Sequence, residues 1–250
     1  MSIFRTLLRR ELSAFFFSLN GYVIIAAVTL LVGLNFVVLI QGMGSDRFTE
    51  PVTAMFFSDF YFWLILLLGT PAITMRLFAQ EKASGTFETL MTTQVTDAQV
   101  VVAKFMGAVI FYMVAWLPLL ACLFLVKHFS HQAGALDAGT VGGMYLGIFL
   151  IGCIFLSLGC LASAISQSQI IAAIVSFVLG VSFFSLAYLA TATPVTAHWQ
   201  TQVLAVFNLF DQMHNFARGA VDTRAVLFSI TVTFFFLFLN LRVVESRRWK

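Results

Sequence analysis

Six stretches of this chain contain no Asp, Glu, Lys or Arg: residues 21–40, 60–75, 105–126, 141–164, 170–189 and 225–241. A bilayer's hydrocarbon core is about 30 Å thick and needs roughly 20 apolar helical residues to cross it, so each stretch is read as one transmembrane helix. The second and sixth are the shortest. Phe56 and Phe57 are expected to lengthen the second on one side, with Arg76 snorkelling at the other so that Leu77 and Phe78 still meet lipid. Strands of a membrane barrel would alternate polar and apolar residues in segments of about ten, which these stretches do not do. The expected fold is an all-α integral membrane protein with six transmembrane helices.

Composition agrees. The 250 residues include 14 Lys and Arg, 11 Asp and Glu, and 29 Phe, with 60% hydrophobic residues. So few charges cannot solvate a globule of this size, and so many aromatics would leave it covered in apolar patches. A soluble domain and a disordered chain are excluded, and a net charge of +3 gives no footprint for nucleic acid. Cys122, Cys153 and Cys160 fall within the apolar stretches and read as small packing residues.

Orientation follows from the basic residues, which stay on the cytoplasmic side. Ten of the 14 (Arg5, Arg9, Arg10, Arg76, Lys82, Lys104, Arg242, Arg247, Arg248 and Lys250) lie in one set of connections and the two ends; Arg47, Lys127, Arg218 and Arg224 lie in the other. Both termini are therefore expected in the cytoplasm. The first apolar stretch starts too late and runs too long for a cleaved signal peptide.

Before the first span, Ile3, Phe4, Leu7, Leu8, Leu12, Phe15, Phe16 and Leu19 recur at a helical period, with Arg5, Arg9, Arg10 and Ser13 on the other face. Residues 3–19 are expected to form an in-plane amphipathic helix, its Phe and Leu in the acyl boundary and its basic face of Arg5, Arg9 and Arg10 among lipid phosphates. Between the second and third spans, Ser84 or Thr86 is placed to cap a short helix around residues 87–91, with Glu88 in its first turn. Thr96 and Gln99 form a capping box that starts the helix running into the third span. Residues 84–100 thus read as a helix–break–helix, either a docking knob for a soluble partner or a capped, solvated loop. On the outer side, residues 203–218 are apolar enough to dip back into the membrane, or to rest on its surface.

No P-loop, HExxH or GxSxG sequence occurs, so nucleotide binding and hydrolytic chemistry have no residues here. His128 and His131 lack further ligands in their neighbourhood and read as interfacial polar residues, as do His198 and His214. Carboxylates lie outside the apolar stretches, which argues against a proton- or sodium-driven carrier. Gly139, Gly143, Gly147, Gly152 and Gly159 give the fourth span a small-residue face for close helix approach, its partner left open. Pro118 bends the third span, as packing geometry rather than a hinge. The substrate path has no assignable residue.

Three stretches carry a family resemblance: RRELSAFFFSLNGYVIIAAVTLLVG, MRLFAQEKASGTFETLMTTQVTDAQVVVAKF and NFARGAVDTRAVLFSITVTFFFLFLNLRVVESRRW. In this order, with six spans, they resemble the permease subunits of type-2 ABC exporters, and look closest to the gliding-motility-associated branch. The resemblance implies a single transmembrane permease domain over residues 1–250, with an interfacial connecting helix at 3–19. It implies a coupling helix on Gly85, Thr86, Phe87, Glu88, Leu90 and Met91 that contacts an ABC-type ATPase subunit, and re-entrant helices within 203–218. A second permease, as a homodimer or a related chain, is implied, in a bacterial cytoplasmic (inner) membrane. The chain would bind no cofactor; ATP and Mg would sit on the partner ATPase. Relatives usually carry Ser-Pro near the start of the first span, where this chain has Ser18, Leu19, Asn20 and Gly21.

The expected function is that of a permease subunit without ATPase motifs of its own, not an enzyme. It would couple ATP hydrolysis by a separate subunit to export of a substrate. The alternative is a non-transporting membrane anchor that recruits an ATPase for a mechanical or regulatory task.

Overall fold

Ser18 decides where the first span begins. Its Oγ accepts a hydrogen bond from the Gly21 N–H at 3.1 Å, the geometry of a helix N-cap. The computed structural model, which describes residues 3–42, 52–58, 60–86, 95–129, 137–192 and 207–246, therefore breaks at Phe17 and Ser18 into α1 (Ile3–Phe16) and α2 (Leu19–Gly42). The amphipathic helix stops at Phe16, not Leu19, and the span starts two residues earlier than expected. All elements among the described residues are helices. Six segments are long and apolar enough to cross a membrane: Leu19–Gln41, Phe60–Ala83, Asp97–Leu125, Ala138–Ile165, Gln169–Leu189 and Thr223–Ser246. They appear in the expected order, each starting or ending within about a turn or two of its charge-free stretch.

The second span departs most from expectation. Phe56 and Phe57 do not extend it; they are buried in a separate short helix, α3 (Val52–Ser58), which Asn35 Nδ2 of α2 ties down through the Phe56 carbonyl at 3.2 Å. The span itself is α4 (Phe60–Thr74), which loosens into turns at 75–78 before the short α5 (Ala79–Ala83). Leu77 and Phe78 do not meet lipid: they are 2% and 0% exposed, inside the protein. Arg76 does not merely snorkel, because its Nε donates to Gln80 Oε1 and its Nη1 to Ser18 Oγ, both at 3.1 Å.

The third span begins with the expected capping box. Thr96 Oγ1 accepts from the Gln99 N–H and the Thr96 N–H donates to Gln99 Oε1, both at 3.4 Å, at the head of α6 (Asp97–Ala115). Trp116 interrupts the helix and α7 (Leu117–Phe129) resumes with Pro118 in its first turn, where a missing N–H is harmless. The break is packed solid: Trp116 is fully buried, and the Tyr145 hydroxyl donates to its carbonyl at 2.9 Å.

Tyr145 belongs to α8 (Ala138–Ile165), the axis of the molecule, 83% of whose most apolar stretch is buried. Around it pack α4, α6, α9 (Gln169–Ala192), α10 (Leu209–Ala217) and α11 (Thr223–Ser246). Four of its glycines find partners within this chain, while Gly139 meets only the neighbouring Asp137 side chain. A Cβ on Gly143 would lie 2.7 Å from the Phe216 carbonyl oxygen, one on Gly147 2.9 Å from Met213 Sδ, one on Gly152 2.3 Å from the Tyr112 ring, and one on Gly159 2.2 Å from Thr74 Oγ1. The small-residue face is thus the seat of α10, α6 and α4 in turn.

Two faces result. The distal face carries α3 and α10, joined where Thr53 Oγ1 donates to the Ala217 carbonyl at 2.6 Å. The described part of the 203–218 segment, residues 207–218, contains α10, capped by Asn208 Oδ1 accepting from the Asp211 N–H at 3.1 Å and packed with Leu209, Met213 and Phe216 against the bundle. The proximal face carries α1, the 75–86 turn and the short α8–α9 connection.

Candidate functional site: a charged junction on the proximal face

Glu11 stands on α1 between Leu7 and Phe15, on a helix face that is otherwise apolar. A carboxylate there is tolerated only with a partner, since an unpaired buried charge is strongly unfavourable. The partner is Lys104 of α6, one turn after Val100 and one before Ala108, on the face that α6 turns into the protein. Both are buried, at 7% and 2% exposure, and the ammonium lies 3.1 Å from Glu11 Oε1. The same ammonium lies 2.9 Å from Glu81 Oε1 of α5 and 5.4 Å above the Phe78 ring. Arg10 closes the cluster at 2.9 Å from Glu11 and 2.7 Å from Glu81. Burial pulls the Arg10 guanidinium down, but the bonds and charges of the two carboxylates outweigh it and hold it above its ordinary value.

Two cations and two carboxylates therefore pin α1, α5 and α6 to one another. Phe15 stacks on Phe111 of α6 at 4.9 Å and Phe16 meets the same ring edge-on at 5.4 Å. The amphipathic helix thus has partners within the protein: Phe15 and Phe16 pack on the third span, and the half-exposed Arg10 is held by Glu11 and Glu81. Arg5 and Arg9 are exposed.

The 75–86 turn is held from its other side by the end of α8. Ser163 Oγ accepts from the N–H groups of Phe78 at 3.0 Å and Ala79 at 3.1 Å, donors that the broken helix leaves without their own carbonyls. Lys82 Nζ donates to the Ala164 carbonyl. Gly85 then takes φ +70°, a left-handed conformation that ends α5 and that side chains with a Cβ adopt at a cost. Thr86 follows, with its Oγ1 2.9 Å from Ser84 Oγ.

Of the six residues expected to meet an ATPase, Gly85 and Thr86 thus lie at the end of a rigidly braced turn. Phe87, Glu88, Leu90 and Met91 lie outside the described residues. The sequence reading missed Glu11, Ser163 and the burial of Lys104, having counted Lys104 as a loop charge. The signal that finds the first is a carboxylate on the apolar face of an amphipathic helix.

Comparison with known families finds a match: the family described as ABC-2 family transporter protein matches residues 40–242. The match begins after α1, so Arg10, Glu11 and Ser18 lie ahead of it. No match is found among curated proteins.

Proposed function

Because the chain belongs to the ABC-2 family of transporter proteins, a family of multi-pass membrane permeases, we propose that it is the membrane half of an ABC exporter, driven by a separate ATPase that docks on residues 84–100. The observation that carries this reading is the bracing of the 75–86 turn. The turn ahead of that segment is tied to α1 through Arg10 and Glu81, to α6 through Lys104 and to α8 through Ser163, so a push on it would be passed to all three. A turn held on three sides passes on a displacement, whereas a free loop absorbs it.

In this reading, closure of the ATPase pair pushes Gly85, Thr86 and the following Phe87, Glu88, Leu90 and Met91. The second, third and fourth spans then move together and access switches between the two faces. Such a switch needs docking free energy that differs between the two states. The bias of basic residues supports a cytoplasmic position for both termini and this turn, in the inner membrane of a bacterium. A second permease, identical or related, completes the pathway, and α2, α9 and α11 leave most of their surfaces uncovered by this chain. A gliding-motility-type assembly is the branch that the sequence resembles.

The test is co-purification with the ATPase and ATP-dependent export in vesicles. Phe87→Asp is expected to abolish co-purification, and Glu88→Ala to lower ATP-dependent export. Full export by both variants would sink the assignment of the docking segment.

A further inference from the structure

The junction holds a cavity of about 350 Å³ between α1 and the 75–86 turn, within the ~300–1,000 Å³ range of small-molecule sites. Ala14, Phe15 and Leu77 form an apolar wall, and Arg76, Glu81 and Ser84 line the polar part. Two of its charged groups are incompletely used. Arg76 spends Nε on Gln80 and Nη1 on Ser18, which leaves the rest of its five N–H donors without a partner among the described residues. Glu81 directs Oε1 to Arg10 and Lys104, while its Oε2 is buried with no hydrogen-bond partner among the described residues.

A fitting ligand must therefore bring an anion for Arg76 and a donor for Glu81. Inorganic phosphate brings an anion and an O–H donor but nothing for the apolar wall of Ala14, Phe15 and Leu77, and a basic side chain brings no anion. The depth of the mouth narrows the choice further. Ser18, which holds Arg76, sits between Phe17 and Leu19, and these apolar side chains are 86% and 79% exposed. In a membrane protein, such a pair belongs at the boundary between acyl chains and headgroups.

We propose that this cavity binds the headgroup of a phosphatidylethanolamine-type lipid, its phosphate on Arg76 and its ammonium on Glu81 Oε2, with the glycerol end against Phe15 and Leu77. A guanidinium suits the phosphate because it offers parallel donors to two oxygens. The primary ammonium supplies the hydrogen-bond donor that Glu81 lacks; a quaternary ammonium has none. The site holds whether or not an ATPase docks on the adjoining segment.

The test uses the purified full-length chain, with native mass spectrometry and thermal melting in the presence of phosphatidylethanolamine, phosphatidylcholine or phosphatidylglycerol. Phosphatidylethanolamine is expected to be retained one per chain and to raise the melting temperature, at affinity about tenfold or more above the other two. Arg76→Gln is expected to weaken retention of all three lipids, since each presents the same phosphate to it, while the lipid-free chain still melts cooperatively. Equal retention of phosphatidylcholine would overturn the ammonium contact, and stronger retention of phosphatidylglycerol would overturn the zwitterionic reading. Equal stabilisation by water-soluble glycerophosphoethanolamine would replace the lipid by a soluble ligand. The comparison between lipids needs no variant, so it stands even where a substitution fails to fold.

Discussion

Gly159 of α8 and Thr74 of α4 approach so closely that a Cβ added to the glycine would lie 2.2 Å from the threonine Oγ1. Thr74 cannot simply rotate away, since that hydroxyl donates to the Thr70 carbonyl at 2.8 Å and faces Ser176 of α9 at 3.5 Å. Gly159→Ala is therefore expected to force the two spans apart, destabilising the protein by about 1–3 kcal/mol. Thermal melting of the purified chain reads this as a drop of several degrees, and adding Thr74→Ala should recover part of it. An unchanged melting temperature for the single variant would mean that α4 and α8 do not meet here.

The distal face offers a sharper comparison, between two adjacent glycines. A Cβ on Gly143 would lie 2.7 Å from the Phe216 backbone oxygen, which no side-chain adjustment can move, whereas one on Gly142 meets nothing within 4 Å. Gly143→Ala should loosen α10 and lower stability, while Gly142→Ala should be neutral or raise it by up to about 1 kcal/mol through helix propensity. Protease digestion and thermal melting of the pair check both directions at once.

Lys104 neutralises two carboxylates at once, the buried Glu11 and the partly buried Glu81. Replacing it with Met keeps the volume and removes the charge, leaving Glu11 buried with only Arg10 beside it. A loss of about 3–5 kcal/mol is expected, the range for breaking one partner of a buried pair. Glu11→Gln combined with Lys104→Met should be less unstable than Lys104→Met alone. If the double variant lost the sum of the two single effects, the groups would not be coupled, and the measured cycle would refute the pairing.

Gly85 separates backbone strain from side-chain contact, because at φ +70° an added Cβ meets nothing within 4 Å. Gly85→Ala is expected to destabilise the turn by about 1–2 kcal/mol, and Gly85→Asn by less, since Asn tolerates the left-handed region better. Export measured for both should follow the same order. Equal activity for Ala, Asn and Gly would show that the conformation of this turn is not used in coupling.

The sequence disclosed what is periodic or local. Charge-free stretches near the length of a bilayer crossing marked all six spans, and the Thr96–Gln99 box marked the start of α6, because both signals sit within a few neighbouring residues. What it hid depends on distant partners. Glu11 and Lys104 are 93 positions apart, and nothing in either neighbourhood names the other. The turn at 75–78 was hidden for a related reason: Leu77 and Phe78 look like the end of a lipid-facing helix until Ser163, from the far end of α8, supplies the acceptor that lets the chain break there. The glycines of α8 announced a close approach but not which helix would come.

The burial of α8 also bears on how the chain is made. Spans leave the translocation machinery in order, and the first three emerge before the helix that fills their centre. At that stage Thr74 and Tyr112 lack Gly159 and Gly152, against which they rest in the finished fold. The fourth span is then the step that turns a string of inserted helices into a shaped body, and α11, the last to arrive, closes over its remaining side. A chain arrested before residue 138 would lack the helix on which the inner faces of α4 and α6 pack.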